Sequence, residues 1–300
     1  MKQLADRLVS AGVKVRLNES MARHTSIRVG GPADLYATAE NKEQLERVYA
    51  YAEEAGVPVT LLGLGTNVVV GDNGIRGVVL VLGGAFRETR FLGLQVRAGA
   101  AVRLSALSRE CASRGLTGLE FASGIPGTVG GAVAGNAGAY DGRISDVTES
   151  VCVFWPDERQ AVWLSCAEMR FGYRYSVLQE RPGAVLYLDA RLGRGDPEAS
   201  LRKIEEYSAR RRKSQPLSYP SAGSVFKNPP RLSAGRLIEE AGLKGFSIGG
   251  ATISTVHANF IVNTGNATAM DIKRLVEHVK NAVWERYGVR LQEEIRFVGD

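Results

Sequence analysis

What this chain lacks narrows its chemistry before any motif is considered. It has only three cysteines, Cys111, Cys152 and Cys166, widely spaced, which argues against a disulfide framework and for reduced thiols. Its three histidines, His24, His257 and His278, form no zinc-type spacing with those cysteines, so no metal centre is expected. No apolar run approaches the roughly 20 residues that a helical bilayer crossing needs. The N-terminal MKQLADRLVSAGVKV mixes acids and bases where a secretory leader would carry an apolar core. A cytoplasmic protein without membrane insertion is the expectation. No glycine loop is followed by Gly-Lys-Ser/Thr, which excludes a P-loop. The longest conspicuous absence is of charge itself: SGIPGTVGGAVAGNAGAY, Ser123–Tyr140, has no charged side chain, and six of its eighteen residues are glycine.

The remainder is ordinary globular material, with 44% apolar and 23% charged residues. The net charge of +6 favours anionic partners without choosing among nucleic acid, membrane and a small phosphorylated ligand. Helices are marked by caps and period. Asn41 precedes NKEQLERVYAYAEEAG, in which Leu45, Val48, Tyr49, Ala52 and Ala55 share a face and Gly56 closes the end. Asp196-Pro197 opens a helix with early acids and late bases. Thr268 and Asp271 start another through Ile272, Leu275, Val276, Val279, Val283 and Tyr287, ended by Gly288. Shorter helices are expected over Val102–Arg114 and Ala234–Ala241. Strands are expected in PVTLL, GVVLVL, LQVRAG, VCVFW, AVWLS, AVLYLDARL, NFIVN and EIRFVG. Their irregular order with the helices argues for an α+β fold rather than a repeating βαβ sheet. GRGDPEAS, near residue 195, is the best linker.

Two glycine loops invite a ligand. Gly63-x-Gly65 follows a strand, as a dinucleotide-binding fingerprint would, but the third small residue is replaced by Val68, and Val68–Val70 reads as strand where a helix is required. A glycine-rich strand–turn–strand whose amides face phosphate remains. The uncharged Ser123–Tyr140 stretch reads either as a buried run of tight turns or as a surface that a ligand must approach closely; it follows neither the helical nor the strand period.

Taken in order, TSIRVGGPADLY, GLGTNVVV, SGIPGTVGGAVAGNAGAYDG, FGYRYS, YPSAGSVFKNP, HANFIVN and LQEEIRFVG resemble the UDP-N-acetylenolpyruvoylglucosamine reductase family, within the flavin-binding fold shared with vanillyl-alcohol oxidase. The resemblance runs nearly end to end. It implies two α+β flavin lobes, 1–82 and 83–195, and a C-terminal α+β substrate-binding domain, 201–300, whose last strand could return to the first lobe. It implies NADPH-dependent, FAD-mediated reduction of UDP-N-acetylglucosamine enolpyruvate to UDP-N-acetylmuramate, with no nucleic-acid partner. Only fifty residues separate Arg174 from Ser224, which resembles the shorter class without a tyrosine-bearing lid loop. No histidine lies in either glycine loop, so FAD is expected to be held noncovalently.

The same resemblance implies the site. FAD would be held by Ile27 and Gly30 in the first segment and by Gly63, Gly65, Thr66, Asn67 and Val68 in the second. In the third it would meet Ser123, Gly124, Ile125, Pro126, Gly127, Gly130, Gly131, Ala132, Asn136 and Gly138, the bare glycine stretch wrapping its diphosphate. Arg174 would grip the substrate carboxylate, Ser224 would protonate the adjacent carbon, and Glu294, protonated, would donate to the enolate. Glu293 stands beside Glu294, and local sequence does not separate them. Tyr173, Lys213, Lys227, Asn228 and His257 would meet the nucleotide substrate. The basic run ARRRKSQP, which holds Lys213, has no interleaved aromatic and reads equally as a solvated helix end; His257 reads equally as a packed structural histidine. Another FAD oxidase of this fold and a redox-inactive nucleotide-binding module are the competing readings. A serine hydrolase is disfavoured, because AGSVF is not G-x-S-x-G.

Overall fold

The computed structural model describes residues 1–300. Its seven α-helices are α1 (Lys2–Ser10), α2 (Lys42–Glu54), α3 (Leu104–Ser113), α4 (Val129–Ala134), α5 (Pro197–Ser214), α6 (Ala234–Glu240) and α7 (Ala269–Tyr287). Together with antiparallel and mixed sheets they make an α+β fold. No helix is long and apolar enough to cross a membrane. The chain divides into two units: Met1–Arg16, Tyr36–Gly63 and Val78–Arg211 in the first, and Leu17–Leu35, Leu64–Gly77 and Arg212–Asp300 in the second.

The first unit is built on a five-stranded antiparallel sheet in the order Gln160–Ser165, Thr148–Trp155, Ala184–Arg191, Gln95–Gly99, Thr89–Leu92. Val151, Val153, Leu188 and Ala190 from this sheet share one core with Leu104, Leu107 and Cys111 of α3 and Val129 and Val133 of α4. A second sheet orders Lys14–Ser20, Pro32–Ala39, Ile75–Leu82 and Val59–Leu61; its first three strands carry the chain from one unit into the other. In α2 the Asn41 side chain accepts from Gln44 N–H, and Leu45, Val48 and Ala52 are buried, so cap and face both follow from the sequence. Asp196 caps α5 by accepting from Glu198 and Ala199 N–H, each at 3.2 Å.

In the second unit the sheet order is Ser221–Ser224, Phe260–Asn263, Ala251–Ile253, Ser247–Ile248, all antiparallel. The apolar face of α7, Ile272, Leu275, Val276, Val279 and Val283, lies in its core. The final strand, Arg296–Val298, pairs in parallel with Val68–Val70.

Four elements depart from the sequence reading. The uncharged glycine stretch is partly regular: α4 begins at Thr128, whose hydroxyl accepts from Gly131 N–H at 3.3 Å. Six residues are too few to display a period, and two are glycines of low helix propensity; the burial of Val129, Ala132 and Val133 supplies what propensity does not. α1 and the strands Lys14–Ser20 and Pro32–Ala39 also lacked clear punctuation.

Helix α7 has the most complete cap. Thr268 and Asp271 form a capping box, Asp72 accepts from Ala269 and Met270 N–H at 2.7 and 3.0 Å, and Gly288 ends the helix at φ 66°. Thr268→Ala is expected to cost about 1 kcal/mol of stability, read as a lowered urea midpoint at unchanged slope. An unchanged midpoint would mean that Asp72 alone suffices.

Candidate active site

In the first unit, Ser123 lies in a 3-10 turn, Glu120–Gly124, and is buried with no hydrogen-bond partner for its hydroxyl. The turn is anchored by Glu120, whose buried carboxylate accepts from Thr117 Oγ1 at 2.7 Å, Gly118 N–H at 2.8 Å and Ser200 Oγ at 2.6 Å. Burial pushes the Glu120 pKa up, but these donors outweigh it and hold the carboxyl below its usual range. Beyond the turn, Gly127 has φ 125°. The amides of Val129 and Gly130 bond Val102 and Ala100 carbonyls at 2.9 Å, Ala132 N–H bonds Thr128 carbonyl at 2.9 Å, and Gly131 N–H meets the Thr128 hydroxyl. These amides are satisfied inside the unit, so a ligand at α4 meets a bare surface rather than open donors. A side chain at Gly130 would stand 3.0 Å from Ala100 Cβ, and one at Gly63 would stand 3.0 Å from Thr128 Oγ1. Some glycines here therefore serve protein packing. At Ser123 the feature that fits a cofactor is different: a buried hydroxyl without a partner, beside a glycine, suits an anionic acceptor.

The FGYRYS turn is tied to the same stretch by three bonds. Asn136 Nδ2 donates to Gly172 carbonyl at 2.9 Å, Ser176 Oγ to Ala134 carbonyl at 2.8 Å, and an Arg174 guanidinium nitrogen to Gly138 carbonyl at 3.2 Å. Asn136 is buried at φ 42°, and its Oδ1 accepts from Ser145 N–H. Arg174 is itself at φ 53°, an uncommon conformation for a non-glycine residue. Gln179 Nε2 holds its carbonyl at 2.7 Å, and the guanidinium lies 5.3 Å from the centre of the exposed Tyr173 ring.

In the second unit, Ile27 is buried, with its carbonyl accepting from Asn263 Nδ2 at 3.1 Å. Gly30 has φ 137°, and a Cβ there would stand 2.7 Å from Val70 Cβ; a Cβ on Gly65, at φ 60°, would strike the His24 carbonyl. Asn67 holds the last segment at two points: its Nδ2 donates to Glu294 carbonyl at 2.9 Å, and its carbonyl accepts from Arg296 N–H at 3.0 Å. Gly223, at φ 82°, turns the chain beside the Thr66 carbonyl. Ser224 follows it, opposite Phe260, and Glu294 N–H donates to the next carbonyl, that of Val225, at 2.7 Å. Thr66-Asn67, Gly223-Ser224 and Glu294 are thus neighbours, whereas Arg174 belongs to the first unit.

The two adjacent acids now separate. Glu293 is ion-paired to Lys280 at 2.9 Å; burial raises its pKa, but the ammonium prevails and keeps it below the usual carboxylate range. That residue is held ionised by a partner and is a structural carboxylate. Lys227 donates its backbone N–H to Gln292 carbonyl, Asn228 Oδ1 caps Ala234 N–H at 3.0 Å, and Lys213 is exposed near the end of α5. His257 accepts from Asn259 N–H through Nδ1 and packs edge-on against Phe260; burial first, and the Lys244 cation second, hold it below the ordinary histidine range. These contacts are those of a packed neutral imidazole. Sequence reasoning missed Asn259, a buried residue whose side chain brackets Phe226, accepting its N–H at 2.9 Å and donating to its carbonyl at 2.8 Å. Its only signal is a polar residue at the head of an apolar strand.

Comparison with known proteins agrees on one family. Residues 33–160 match the model described as FAD binding domain, and residues 215–298 match that of the UDP-N-acetylenolpyruvoylglucosamine reductase C-terminal domain. The protein of that name from Caldanaerobacter subterraneus subsp. tengcongensis is 47% identical over 287 residues, 96% of this chain and 94% of its own. Its counterpart from Heliobacterium modesticaldum is 48% identical over 283 residues, 94% and 90% of the two chains. The crystal structure of the Thermus caldophilus UDP-N-acetylenolpyruvylglucosamine reductase superposes with a TM-score of 0.81 at 38% identity, covering 95% of this chain and 98% of that one.

The Glu120 anchor has a signed pH signature. Its folded pKa is depressed, so its stabilisation is complete above the unfolded value near 4.3 and is lost as pH falls through the lower folded value. Glu120→Gln is expected to lower stability at pH 7 by about 1.5–3 kcal/mol, and the gap to wild type should close toward pH 3 in a urea-midpoint series. A gap independent of pH would contradict this role.

Proposed function

This chain belongs to the UDP-N-acetylenolpyruvoylglucosamine reductase family, and from that premise we propose how its own residues divide the reaction. It is a flavin-dependent oxidoreductase, a UDP-N-acetylmuramate dehydrogenase of peptidoglycan precursor synthesis. In our reading the substrate is UDP-N-acetylglucosamine enolpyruvate, the reductant is NADPH, and FAD is held noncovalently; no histidine or cysteine stands in Leu61–Gly71 or Ser123–Tyr140 to link it. Residues 1–82 and 83–195 serve the flavin, and 201–300 the nucleotide substrate. The short interval between Arg174 and Ser224 makes this the class without the lid loop.

Bound FAD would supply the reducing equivalents of NADPH as a hydride. The terminal alkene carbon gains that hydride, and the carbon bearing the carboxylate gains a proton, so the double bond becomes single and NADPH ends as NADP. Negative charge builds on the carboxylate-bearing carbon and its oxygens between the two events. Arg174 receives the carboxylate: a guanidinium has five donors, and the bond to Gly138 fixes its direction. Ser224 delivers the proton; a hydroxyl is a weak acid, but an enolate is a strong base, so the transfer runs downhill. Glu294, in its protonated form, donates to the enolate oxygen.

The observation that carries this division is the backbone ladder in which Glu294 N–H bonds the carbonyl of Val225, the residue after Ser224. It joins the segment that carries Glu294 to the one that carries Ser224, which supports this division, and Glu293 is already committed to Lys280. Ser224→Ala is expected to leave NADPH-driven bleaching of the flavin intact while turnover falls by roughly 10²–10⁴; equal loss of both half-reactions would remove the serine from proton delivery. Glu294→Gln should lower kcat by roughly 10²–10³, and Glu293→Gln by far less. The reverse ranking would exchange their roles.

A further inference from the structure

Helix α5 lays one side chain per turn along the segment Glu120–Asp141. Ser200 Oγ donates to Glu120 at 2.6 Å. Lys203 meets Asp141 at 3.4 Å. Tyr207 stacks on Tyr140 with ring centroids 4.0 Å apart and planes 7° apart, donates to Asp141 at 2.7 Å, and offers its carbonyl to the Tyr140 hydroxyl at 2.8 Å. Spacings of three and four residues put these on one helix face, and each finds its partner in the protein.

Arg211, the next residue of that face, does not. It is half-buried and has neither a hydrogen bond nor an ion pair. Its Cδ and one guanidinium nitrogen lie 3.2 and 3.6 Å from where a side chain on Gly124 would begin. The residue before Gly124 is Ser123, whose buried hydroxyl is also unpartnered. Partial burial disfavours the charged form of Arg211, and a half-buried cation without a partner gains by meeting an anion. A cation and a hydroxyl donor therefore meet at the end of one turn; its one acid, Glu120, is turned to Thr117, Gly118 and Ser200, and no carboxylate lies between Ser123 and Tyr140. Arg211 also lies outside both matched family regions, 33–160 and 215–298.

We propose that Arg211 receives a ligand diphosphate at the Ser123–Gly124 turn. The inference rests on the cofactor reading above. The shared chemistry is a nucleoside diphosphate ester, and FAD is the source favoured, because Ser123 and Gly124 fall inside the FAD-binding match and the turn belongs to the same unit as Arg211. Glycine at position 124 lets the Arg211 side chain approach the turn closely, and the upstream contacts of α5 hold the helix there. Guanidinium matches phosphate oxygens in geometry as well as charge.

The test is Arg211→Gln in the full-length chain, with FAD affinity read by quenching of flavin fluorescence, UDP affinity read on the FAD-loaded enzyme, and the thermal midpoint read without ligand. Loss of a charge-assisted bond is expected to weaken FAD binding about 10–100-fold. The ligand-free variant should unfold at the same or a higher temperature than wild type, since an unpaired charge has been removed. Arg211→Lys, which keeps the charge, should fall between. Weakened UDP binding with unchanged FAD binding would assign the residue to the nucleotide substrate's diphosphate instead. Both affinities unchanged, or a ligand-free chain destabilised as much as the loaded one, would overturn the proposal and leave Arg211 a packing residue. A wild-type chain that takes up no flavin would overturn the cofactor reading itself, independently of either variant.

Discussion

The structure depends on holding a bare peptide surface rigid without covering it. Charged or bulky side chains along Ser123–Tyr140 would obstruct the ligand approach proposed for it, yet a run this rich in glycine loses much entropy on folding. The chain meets that cost from outside the stretch. Ala100 and Val102 take its amides, Thr128 caps its short helix, Glu120 anchors its entry, and Asn136, Arg174 and Ser176 tie its exit to the turn at Gly172. The last of these ties matters most for function, because the residue proposed to hold the substrate carboxylate is fastened to the segment proposed to hold the flavin. On that proposal, cofactor and substrate recognition share one set of hydrogen bonds.

The second unit solves a different problem, that of bringing two chemical groups from distant sequence to one edge. Ser224 and Glu294 are joined through the Val225 carbonyl, and the register is fixed on both sides. Asn259 occupies both backbone groups of Phe226, and Asn67 grips the chain on either side of Ile295 through Glu294 and Arg296. A buried amide with both its ends satisfied in this way specifies a single alignment, since a slip of one residue would leave it unpaired. Lys280, on α7, then claims Glu293 at 2.9 Å.

Much of this was legible in the sequence, and the parts that were not have physical reasons. Helices with caps and long apolar faces, such as those opened by Asn41 and Thr268, declared their ends as well as their period. The short α4 did not, because its stability comes from burying Val129 and Val133 in a core contributed by other elements. The strand Lys14–Ser20 carries little apolar contrast and is defined by its pairing, whereas Pro32–Ala39 alternates, with Ala33, Leu35, Ala37 and Ala39 buried, but three of those four are small alanines. At the site, type and order of residues gave the family pattern, but no local feature distinguishes Glu293 from Glu294; the distinction lies in a lysine thirteen residues away on a helix face. Arg211 was hidden similarly inside a basic run. Its neighbours Arg210 and Arg212 are exposed, and only the fold shows that the middle arginine turns inward.

The central claim is that this chain carries a flavin and uses it to reduce an alkene on a nucleotide. It is tested most directly by the absorption spectrum of the purified full-length protein, followed in the same cuvette by NADPH oxidation with and without the enolpyruvyl nucleotide. The account predicts flavin bands near the visible edge and steady NADPH consumption only when that nucleotide is present. A colourless protein that takes up no added FAD, or one that consumes NADPH at the same rate without the nucleotide, would contradict it.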